Sequence, residues 1–438
     1  MTEITTLREL FEAHGGLIQT GPFSSQLHQS DYSKDGVPVV MPKDIRGGRI
    51  DENGIARVPE IKAQTLSRHY IKSGSIVFSR RGEISKCAYI DKEQAGFLCG
   101  TGCVKIEPPE EALGAKFLYY YLSLRHIVEW LERNAVGTTM LNLNTKIIGR
   151  IKIPIIPKQK QEDIVSILSV YDDLIENNQR RIQLLEQAAR LLYREWFVHL
   201  RFPGHEHVSI TVGVPKGWER ENVISHLEFV RGVEPGSKNY MTAPDEGRVP
   251  FLRVGDFGSR SSNIHIDVIF AKGKLLKPDD VAITMDGTPG LVSLGMKGAF
   301  SSGIRKIVLK EECGIDWSFI YELLQSDAIQ STVERFAKGT TIFHASSSLN
   351  HMVFLKPTET LLDIFEDMTA PVLRQILLLN DQNKQLRDFL LSSGMVRKTA
   401  RHAEKNKDPT RPARPIGVAG TQLRRRWVFF AVNVFCCA

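Results

Sequence analysis

The sequence predicts a mixed α/β (α+β) protein in which two similar domains are separated by two long antiparallel helices, forming a coiled-coil spacer with a pseudo-two-fold repeat. Three observations predict this fold. The chain has 438 residues, which is too many for one ordinary hydrophobic core. Several short motifs occur twice in the same order. Each series of motifs is followed by a long run of apolar residues at helical spacing.

Three motifs carry the duplication. Each is a turn or a strand that ends in polar residues, and the copies follow one another at offsets of 212, 205 and 202 residues. A fixed order with slowly drifting offsets is far less expected by chance than a single match. The paired segments are residues 36–45 with 248–257, 74–82 with 279–287, and 137–144 with 339–349.

Within each copy, short β-rich runs bounded by Gly and Pro come before a helix and a Gly-Thr-Thr loop. The helices are predicted near residues 118–134 and 317–336. An extended segment that is stopped by proline closes each copy, at residues 151–157 and, more loosely, at 353–357. Each copy is therefore predicted to be one α/β domain.

The first long helix is predicted after Pro157, where apolar residues step alternately by four and three. A helix over residues 161–197 would be about 55 Å long at 1.5 Å per residue. Asn178 lies on this seam, where it either fixes the helix register or is simply tolerated. The seam consists of Ile164, Leu168, Tyr171, Ile175, Asn178, Ile182, Leu185, Ala189, Leu192 and Trp196.

The second copy supplies a candidate partner helix with one irregular stretch. Pro371 is expected to start its longer segment or to kink it, because proline removes an internal hydrogen bond. The alternative is two unrelated amphipathic helices. The predicted apolar face consists of Leu361, Ile364, Met368, Val372, Ile376, Leu379, Asn383, Leu386 and Leu390.

A basic tail accounts for the net charge of +7. Residues 397–427 hold ten Lys and Arg against Glu404 and Asp408, so the rest of the chain is near neutral at −1. A nucleic-acid surface must therefore be argued from local patches. The tail is expected to be disordered, with a DNA-gripping basic segment or a membrane anchor as alternatives.

Several kinds of site and location are not expected. The six cysteines form no paired CxxC clusters, and His205 and His207 lack a third nearby ligand, so we expect no metal site. We expect a cytoplasmic location, because the cysteines fit buried thiols and the sequence shows no secretory signal. We expect no membrane span, because no run of about 18 apolar residues is present. No Gly-x-x-x-x-Gly-Lys-Ser/Thr loop and no Asn-Pro-Pro-Tyr-like motif is present, so neither ATP use nor methyl transfer is expected.

Several segments resemble one known family. Residues 15–28 (GGLIQTGPFSSQLH), Asp31, Tyr32 and residues 36–45 are similar to the start of the recognition domains of type I restriction–modification specificity subunits, and so are residues 76–82. Residues 153–161, continuing to Trp196 and Phe197, resemble the central spacer helix of that family. Residues 386–391 resemble its distal helix. The resemblance covers about residues 8–395.

The resemblance implies a non-catalytic subunit that directs methylation and restriction. Each of the two domains would read half of an asymmetric bipartite site in double-stranded DNA, and the helices would set the gap. Two modification subunits would carry the S-adenosylmethionine chemistry, and motor-nuclease restriction subunits would use ATP and magnesium. The chain divides into residues 1–157 (first target-recognition domain), 158–200 (central spacer helix), 201–357 (second target-recognition domain), 358–396 (distal spacer helix) and 397–438 (atypical tail).

The sequence departs from the family near its end. After Leu391 the residues Ser392, Ser393, Gly394 and Met395 look shortened against the usual end of the distal helix. The tail from about Arg397 matches nothing in the family, as a frameshifted or foreign C-terminus would.

The candidate DNA contacts are polar residues in the loops where the two copies coincide. Arginine can pair bidentately with guanine or grip phosphate, whereas hydroxyls and amides can contact bases or build ordinary turns. Lys43, Arg46 and Arg253 are candidate phosphate clamps or plain surface charges. The first copy contributes Lys43, Arg46, Ser79, Arg80, Arg81, Thr138, Thr139, Asn142 and Asn144. The second contributes Arg253, Thr284, Asp286, Thr288, Thr340, Thr341, His344 and Ser346.

Two other functions remain open from the residues alone. Scattered Asp and Glu could form a cryptic endonuclease, because such sites are weakly patterned. A non-catalytic scaffold could use the paired domains to bind protein partners. Retention of specific duplexes in a filter-binding assay would separate DNA recognition from both.

Overall fold

The computed structural model describes residues 4–391, except 24, 83, 85, 138–140, 243, 259, 261, 312–313 and 340–342. The predicted tail, residues 397–438, lies outside the described residues. The chain divides into two compact units: one runs up to Tyr171 and resumes at Arg387, and the other is Asp172–Leu386. Among the described residues, no helix combines the length and apolar content needed to cross a membrane.

The first unit begins with a strand and a well-capped helix. The Thr6 side chain accepts a hydrogen bond from the Glu9 backbone, and the Glu9 carboxylate accepts one from the Thr6 backbone, so two free helix-end donors are satisfied. The elements are β1 (Ile4–Thr6), α1 (Leu7–His14), β2 (Leu17–Thr20), β3 (Val37–Val40), β4 (Ile45–Arg46), β5 (Arg49–Ile50), β6 (Ala56–Val58), α2 (Glu60–Thr65), β7 (Ile76–Ser79), β8 (Cys87–Tyr89), β9 (Leu98–Cys99), β10 (Cys103–Glu107), α3 (Ala115–Leu122), α4 (Arg125–Asn134), α5 (Thr145–Gly149), β11 (Lys152–Pro154) and α6 (Lys158–Tyr193).

Two small sheets and a closing strand pair build the first unit. One sheet has the antiparallel order β2-β10-β7-β8, and the other has the order β6-β3-β9, with β3 and β9 parallel. β1 pairs antiparallel with β11, which joins the beginning of the domain to its end. The strands are rich in Val and Ile and are largely buried, as at Ile76–Ser79, because branched side chains fill the space between sheet and helices.

The second unit begins at Asp172, within α6, and a π-helical turn at Arg194–Val198 follows the end of that helix. Its elements are β12 (Ile210–Thr211), β13 (Val214–Pro215), β14 (Glu219–Asn222), α7 (Val223–His226), β15 (Leu227–Arg231), β16 (Arg248–Leu252), β17 (His265–Asp267), α8 (Val268–Ala271), β18 (Leu275–Leu276), β19 (Ala282–Thr284), β20 (Asp286–Gly287), β21 (Val292–Ser293), β22 (Gly298–Phe300), β23 (Ile304–Leu309), α9 (Trp317–Leu324), α10 (Asp327–Phe336), β24 (Phe343–His344), β25 (Val353–Lys356) and α11 (Glu359–Leu391).

The strand order of the second unit repeats that of the first. The sheet β15-β23-β19-β21 corresponds to β2-β10-β7-β8, and β17-β16-β22 corresponds to β6-β3-β9 with the same single parallel pair. The closing pair β14–β25 corresponds to β1–β11. The predicted duplication is therefore confirmed at the level of strand order.

The long helices pack antiparallel in the second unit. Asn178 of α6 donates to the Asn383 side chain of α11 at 3.1 Å, whereas Tyr193 near the end of α6 packs against Phe365 near the start of α11. Every residue of the seam predicted for α6 is buried or half-buried, so that prediction is confirmed. In the first unit, Tyr171 of α6 lies against Phe389 of α11 with ring centroids 5.1 Å apart.

The start of α11 differs from the prediction. Ile364 and Met368 are 40% and 49% exposed, so assigning them to the buried face was wrong. Phe365, which is fully buried, takes that place because its ring joins an aromatic cluster with Tyr193, Trp196, Phe197 and Phe319. Pro371 lies inside one continuous helix and does not start a new one.

The helices predicted as single elements in each domain are pairs. The first is divided into α3 and α4, and the second into α9 and α10, with matching lengths of eight and ten residues. Both pairs sit at an offset of 202 residues. The helices of each unit cover its main sheet and complete its hydrophobic core.

Candidate nucleic-acid interface

Three loops of the first unit meet beyond the end of β7. The backbone N–H of Arg80 donates to Gly102 at 2.9 Å, and the Leu143 N–H donates to the Arg80 carbonyl at 2.8 Å. The Arg81 backbone pairs with Asn142. A side chain at position 102 would come within 2.7 Å of the Pro42 ring, so glycine lets the turn Pro42–Asp44 close on this surface. We call residues 42–46, 79–82, 136–137 and 141–144 the first polar loop set.

Arg80 and Arg81 have different environments although they are neighbours. Arg80 is only 9% exposed, and its Nε and Nη2 both donate to Asn142 Oδ1 at 3.3 Å. Burial, followed by the nearby charge of Arg81, lowers the pKa of the Arg80 guanidinium. Arg81 is exposed. The structure thus joins Arg80 to Asn142 inside the loop set and leaves Arg81 at its surface.

Ser79 and Asn144 are engaged in the fold. Ser79 is fully buried, and its hydroxyl donates to the Arg81 carbonyl at 3.0 Å. Asn144 is exposed and caps α5, where its Oδ1 accepts a hydrogen bond from the Ile147 N–H at 2.9 Å. Both residues stabilise the loops from which the other candidates project.

The two cations of the first turn lie at the surface. Lys43 is exposed. Arg46 is exposed, forms a 3.1 Å ion pair with Asp51 and donates from Nε to the Lys43 carbonyl at 3.3 Å. An exposed ion pair of this kind contributes about 0–1 kcal/mol, so its opening to release Arg46 costs little.

The second unit builds the same arrangement. The Met285 N–H donates to Gly303 and the Ala345 N–H donates to the Met285 carbonyl, both at 2.8 Å. β20 pairs antiparallel with β24, in register Asp286 to His344. A side chain at position 303 would come within 2.9 Å of Val254, which repeats the close approach seen at Gly102. Residues 253–256, 284–288, 337–339 and 343–346 form the second polar loop set.

The side chains of the second loop set differ from those of the first. Asp286 stands at the position of Arg81, and His344 at the position of Asn142. His344 Nδ1 and Asp286 Oδ1 are 2.7 Å apart, with the side chains 64% and 19% exposed, respectively. A carboxylate and an imidazole thus replace a guanidinium and an amide on the same backbone.

A different buried arginine holds the second loop set. Arg305, on β23, donates from Nη2 to the Ser346 hydroxyl at 3.0 Å and from Nη1 to the Ile304 carbonyl at 3.2 Å. Burial lowers the pKa of its guanidinium, against the opposing effect of Asp286. Sequence reasoning missed Arg305. The sequence did not single it out, because Arg305 is followed by a second cation, Lys306, within the strand Ile304–Leu309.

The remaining candidate DNA contacts of the second unit, like those of the first, are partly buried in the fold and partly exposed. Thr284 is fully buried, and its hydroxyl donates to the Thr288 carbonyl at 2.5 Å. Arg253, Thr288 and Ser346 are exposed, and the Arg253 Nε lies 3.4 Å from Asp256 Oδ2. Thr138, Thr139, Thr340 and Thr341 lie outside the described residues.

The chain is similar to several known proteins. Residues 2–187 match the family model described as "Type I restriction modification DNA specificity domain". The chain is 24% identical over 428 residues to the type I restriction enzyme MjaIX specificity subunit of Methanocaldococcus jannaschii, covering 89% of this chain and 91% of that protein. It is 22% identical to the HindI specificity subunit of Haemophilus influenzae, over 77% of this chain and 88% of that one. The crystal structure of an S subunit from M. genitalium covers 89% of this chain and 95% of its own, with 16% identity and a TM-score of 0.45.

Proposed function

This chain belongs to the family of type I restriction–modification specificity subunits, and from that premise we propose that each of its two units reads one half of a bipartite DNA site. One observation carries the proposal. The same three-loop backbone is built twice, and its exposed side chains differ between the copies. Two loop sets with the same backbone and different exposed side chains would recognise two different half-sites.

The first polar loop set has the chemistry of a guanine or phosphate reader. Arg81 is exposed beside the Arg80–Asn142 pair, and its guanidinium offers two parallel donors that match guanine O6 and N7. Lys43 and Arg46 lie on the adjoining turn, where cations would contact phosphates and set the position of the domain on the duplex.

The second polar loop set offers both donors and acceptors. The exposed imidazole of His344, which Asp286 contacts, and the exposed hydroxyls of Thr288 and Ser346 can contact a base or a phosphate. Arg253 precedes the turn Val254–Asp256, which corresponds to the turn Pro42–Asp44 beside Lys43 and Arg46 in the first set. The second half-site should therefore differ in base composition from the first.

The helices α6 and α11 are proposed to fix the length of DNA between the half-sites. α6 is unbroken over 36 residues, Lys158–Tyr193, and the buried Asn178–Asn383 pair holds it in one register against α11 in the second unit. Adding one heptad to both helices would lengthen them by about 10 Å, which is close to three base pairs.

The chain itself is proposed to be non-catalytic. Methyl transfer with S-adenosylmethionine would belong to two modification subunits, and ATP- and magnesium-dependent restriction to motor-nuclease subunits. The specificity subunit would determine the DNA sequence at which these partner subunits act.

Selection on randomised duplex DNA tests the proposal. The full-length chain, purified so that any partner subunits are retained, should enrich two unlike half-sites at one fixed gap. The variant with a heptad added to both helices should enrich the same half-sites at a gap wider by about three base pairs. Retention of all duplexes alike would contradict sequence recognition. Altered half-sites at an unchanged gap would contradict the role of the helices.

A further inference from the structure

We propose that His344 reads the exocyclic amino group of an adenine or a cytosine through an unprotonated Nε2, and that Asp286 fixes the ring in this state. The proposal rests on the proposed function, because it assigns one reader within the second polar loop set. His344 would be a specificity-determining residue, and Asp286 the residue that positions it.

The hydrogen bond between the two side chains determines the tautomer. His344 Nδ1 lies 2.7 Å from Asp286 Oδ1. An ionised carboxylate can only accept, so the hydrogen must lie on Nδ1. When the imidazole is neutral it carries only this one hydrogen, so Nε2 then has a lone pair and acts as an acceptor.

The backbone beneath the ring is fixed while the ring itself is accessible. His344 exchanges two backbone hydrogen bonds with Lys338, at 2.9 and 3.1 Å, and the next residue, Ala345, is fully buried and bonded to Met285. The side chain is nevertheless 64% exposed, and no partner for Nε2 is found among the described residues. A fixed strand that presents one exposed acceptor suits direct contact with a base edge.

The major groove restricts what such an acceptor can read. Only the N6 amino group of adenine and the N4 amino group of cytosine donate hydrogen bonds there, whereas guanine and thymine present acceptors. An unprotonated Nε2 therefore selects adenine or cytosine on the strand that it contacts. The equivalent residue of the first unit, Asn142, is bonded to Arg80 through its Oδ1 and so supplies no equivalent free acceptor from that oxygen.

The test is selection on randomised duplex DNA with the full-length chain and its retained partners. Wild type should prefer adenine or cytosine at one position of the second half-site. H344A should lose that preference, by about 3- to 10-fold, with the first half-site and the gap unchanged. H344R, which presents only donors, should prefer guanine at the same position. D286N should weaken the wild-type preference, because an amide can also donate to Nδ1 and release the other tautomer.

One control and four possible results decide between the explanations. R220A, which removes an exposed arginine on β14 of the same unit, serves as the control and should leave both half-sites unchanged. If H344R enriches the same base as wild type, or if H344A keeps full preference at every position, His344 is not the reader. If wild type enriches no sequence at all, the proposed function fails instead. H344Q retains an acceptor, so its preference for adenine or cytosine should persist, and its preference for guanine would overturn the inference.

Discussion

The two polar loop sets have the same backbone and different means of support. In the first, Arg80 comes from the reading loop itself and reaches Asn142 across the set. In the second, Arg305 comes from the neighbouring strand β23 and reaches Ser346. Each unit thus buries one guanidinium behind its loops, at positions that do not correspond. The comparison indicates that the backbone of the loops is the same in both units. The side chains that support the loops, and those proposed to contact DNA, differ independently between the units.

The difference extends into the cores. α3 and α9 match in length and position, but Tyr120 of the first faces the core where the second has Glu322. Glu322 is 3% exposed, and its Oε2 has no hydrogen-bond partner among the described residues. Burial raises the pKa of Glu322 to about 7, against the lowering effect of Arg190. The second unit therefore carries a buried carboxyl that the first replaces with a phenol.

The largest expected effect concerns this carboxyl. Its pKa is higher in the folded state than the ordinary 4.5, so folding favours the protonated form, and stability should fall as pH rises from about 4.5 to about 7. E322Q should recover up to about 3 kcal/mol of this loss at pH 8.5 and little at pH 4.5. Urea unfolding at both pH values measures it, with the exposed Glu334 changed by E334Q as control. An equal effect of E322Q at both pH values would contradict a titrating carboxyl.

The next effect tests the two buried arginines against each other. Loss of hydrogen bonds to a charged group costs about 1.5–3 kcal/mol, so R80A should weaken selection of the first half-site by about 10- to 100-fold and leave the second intact. R305A should do the reverse. R80K and R305K should restore part of the loss. A loss at both half-sites from either variant would mean that the arginines support the fold as a whole.

A smaller effect concerns the helix pair. Asn178 and Asn383 are separated by 205 residues, the offset of the middle repeat motif, and are both buried. N178L should destabilise the second unit by about 1–3 kcal/mol, because it leaves the Asn383 amide without a partner. The double variant N178L/N383L should recover most of that loss, since both polar groups are then gone. Failure of the double variant to recover would point to overpacking by leucine.

The smallest effect is expected at the exposed reader of the first unit. R81A should weaken the first half-site by about 5- to 10-fold, since one base contact is lost and the frame remains. R125A removes an exposed arginine of α4 and should have no effect. Uniform weakening across all sequences would instead assign Arg81 to a phosphate.

The spacing of apolar residues and the positions of glycine and proline predicted much of the fold. Glycine and proline bounded the strands, and the spacing of Ile164 to Trp196 predicted α6 because one apolar face repeats every three or four residues. The breaks between α3 and α4 and between α9 and α10 were missed, because the apolar spacing continues across them. Ile364 and Met368 were misassigned because spacing alone could not show that Phe365 enters the aromatic cluster.

The candidate site was predicted in position more than in detail. The motifs located both polar loop sets, since polar residues follow equivalent strands. The burial of individual side chains could not be predicted from the sequence. Ser79 and Thr284 are the last residues of core strands and are buried, although the loop that follows each strand is polar. The roles of Arg80 and Arg305 depend on contacts with residues 62 and 41 positions away along the chain, and no local pattern encodes such contacts.

The aromatic cluster at the end of α6 makes the second unit optically distinct. Trp196 and Trp218 are buried there, each within about 6 Å of the Phe197 ring, and Trp317 packs against the same core. In the first unit, Trp130 is the described tryptophan, and it is only partly buried. The fluorescence of the described tryptophans should therefore report mainly on the second unit, so the unfolding of that unit can be followed by this signal.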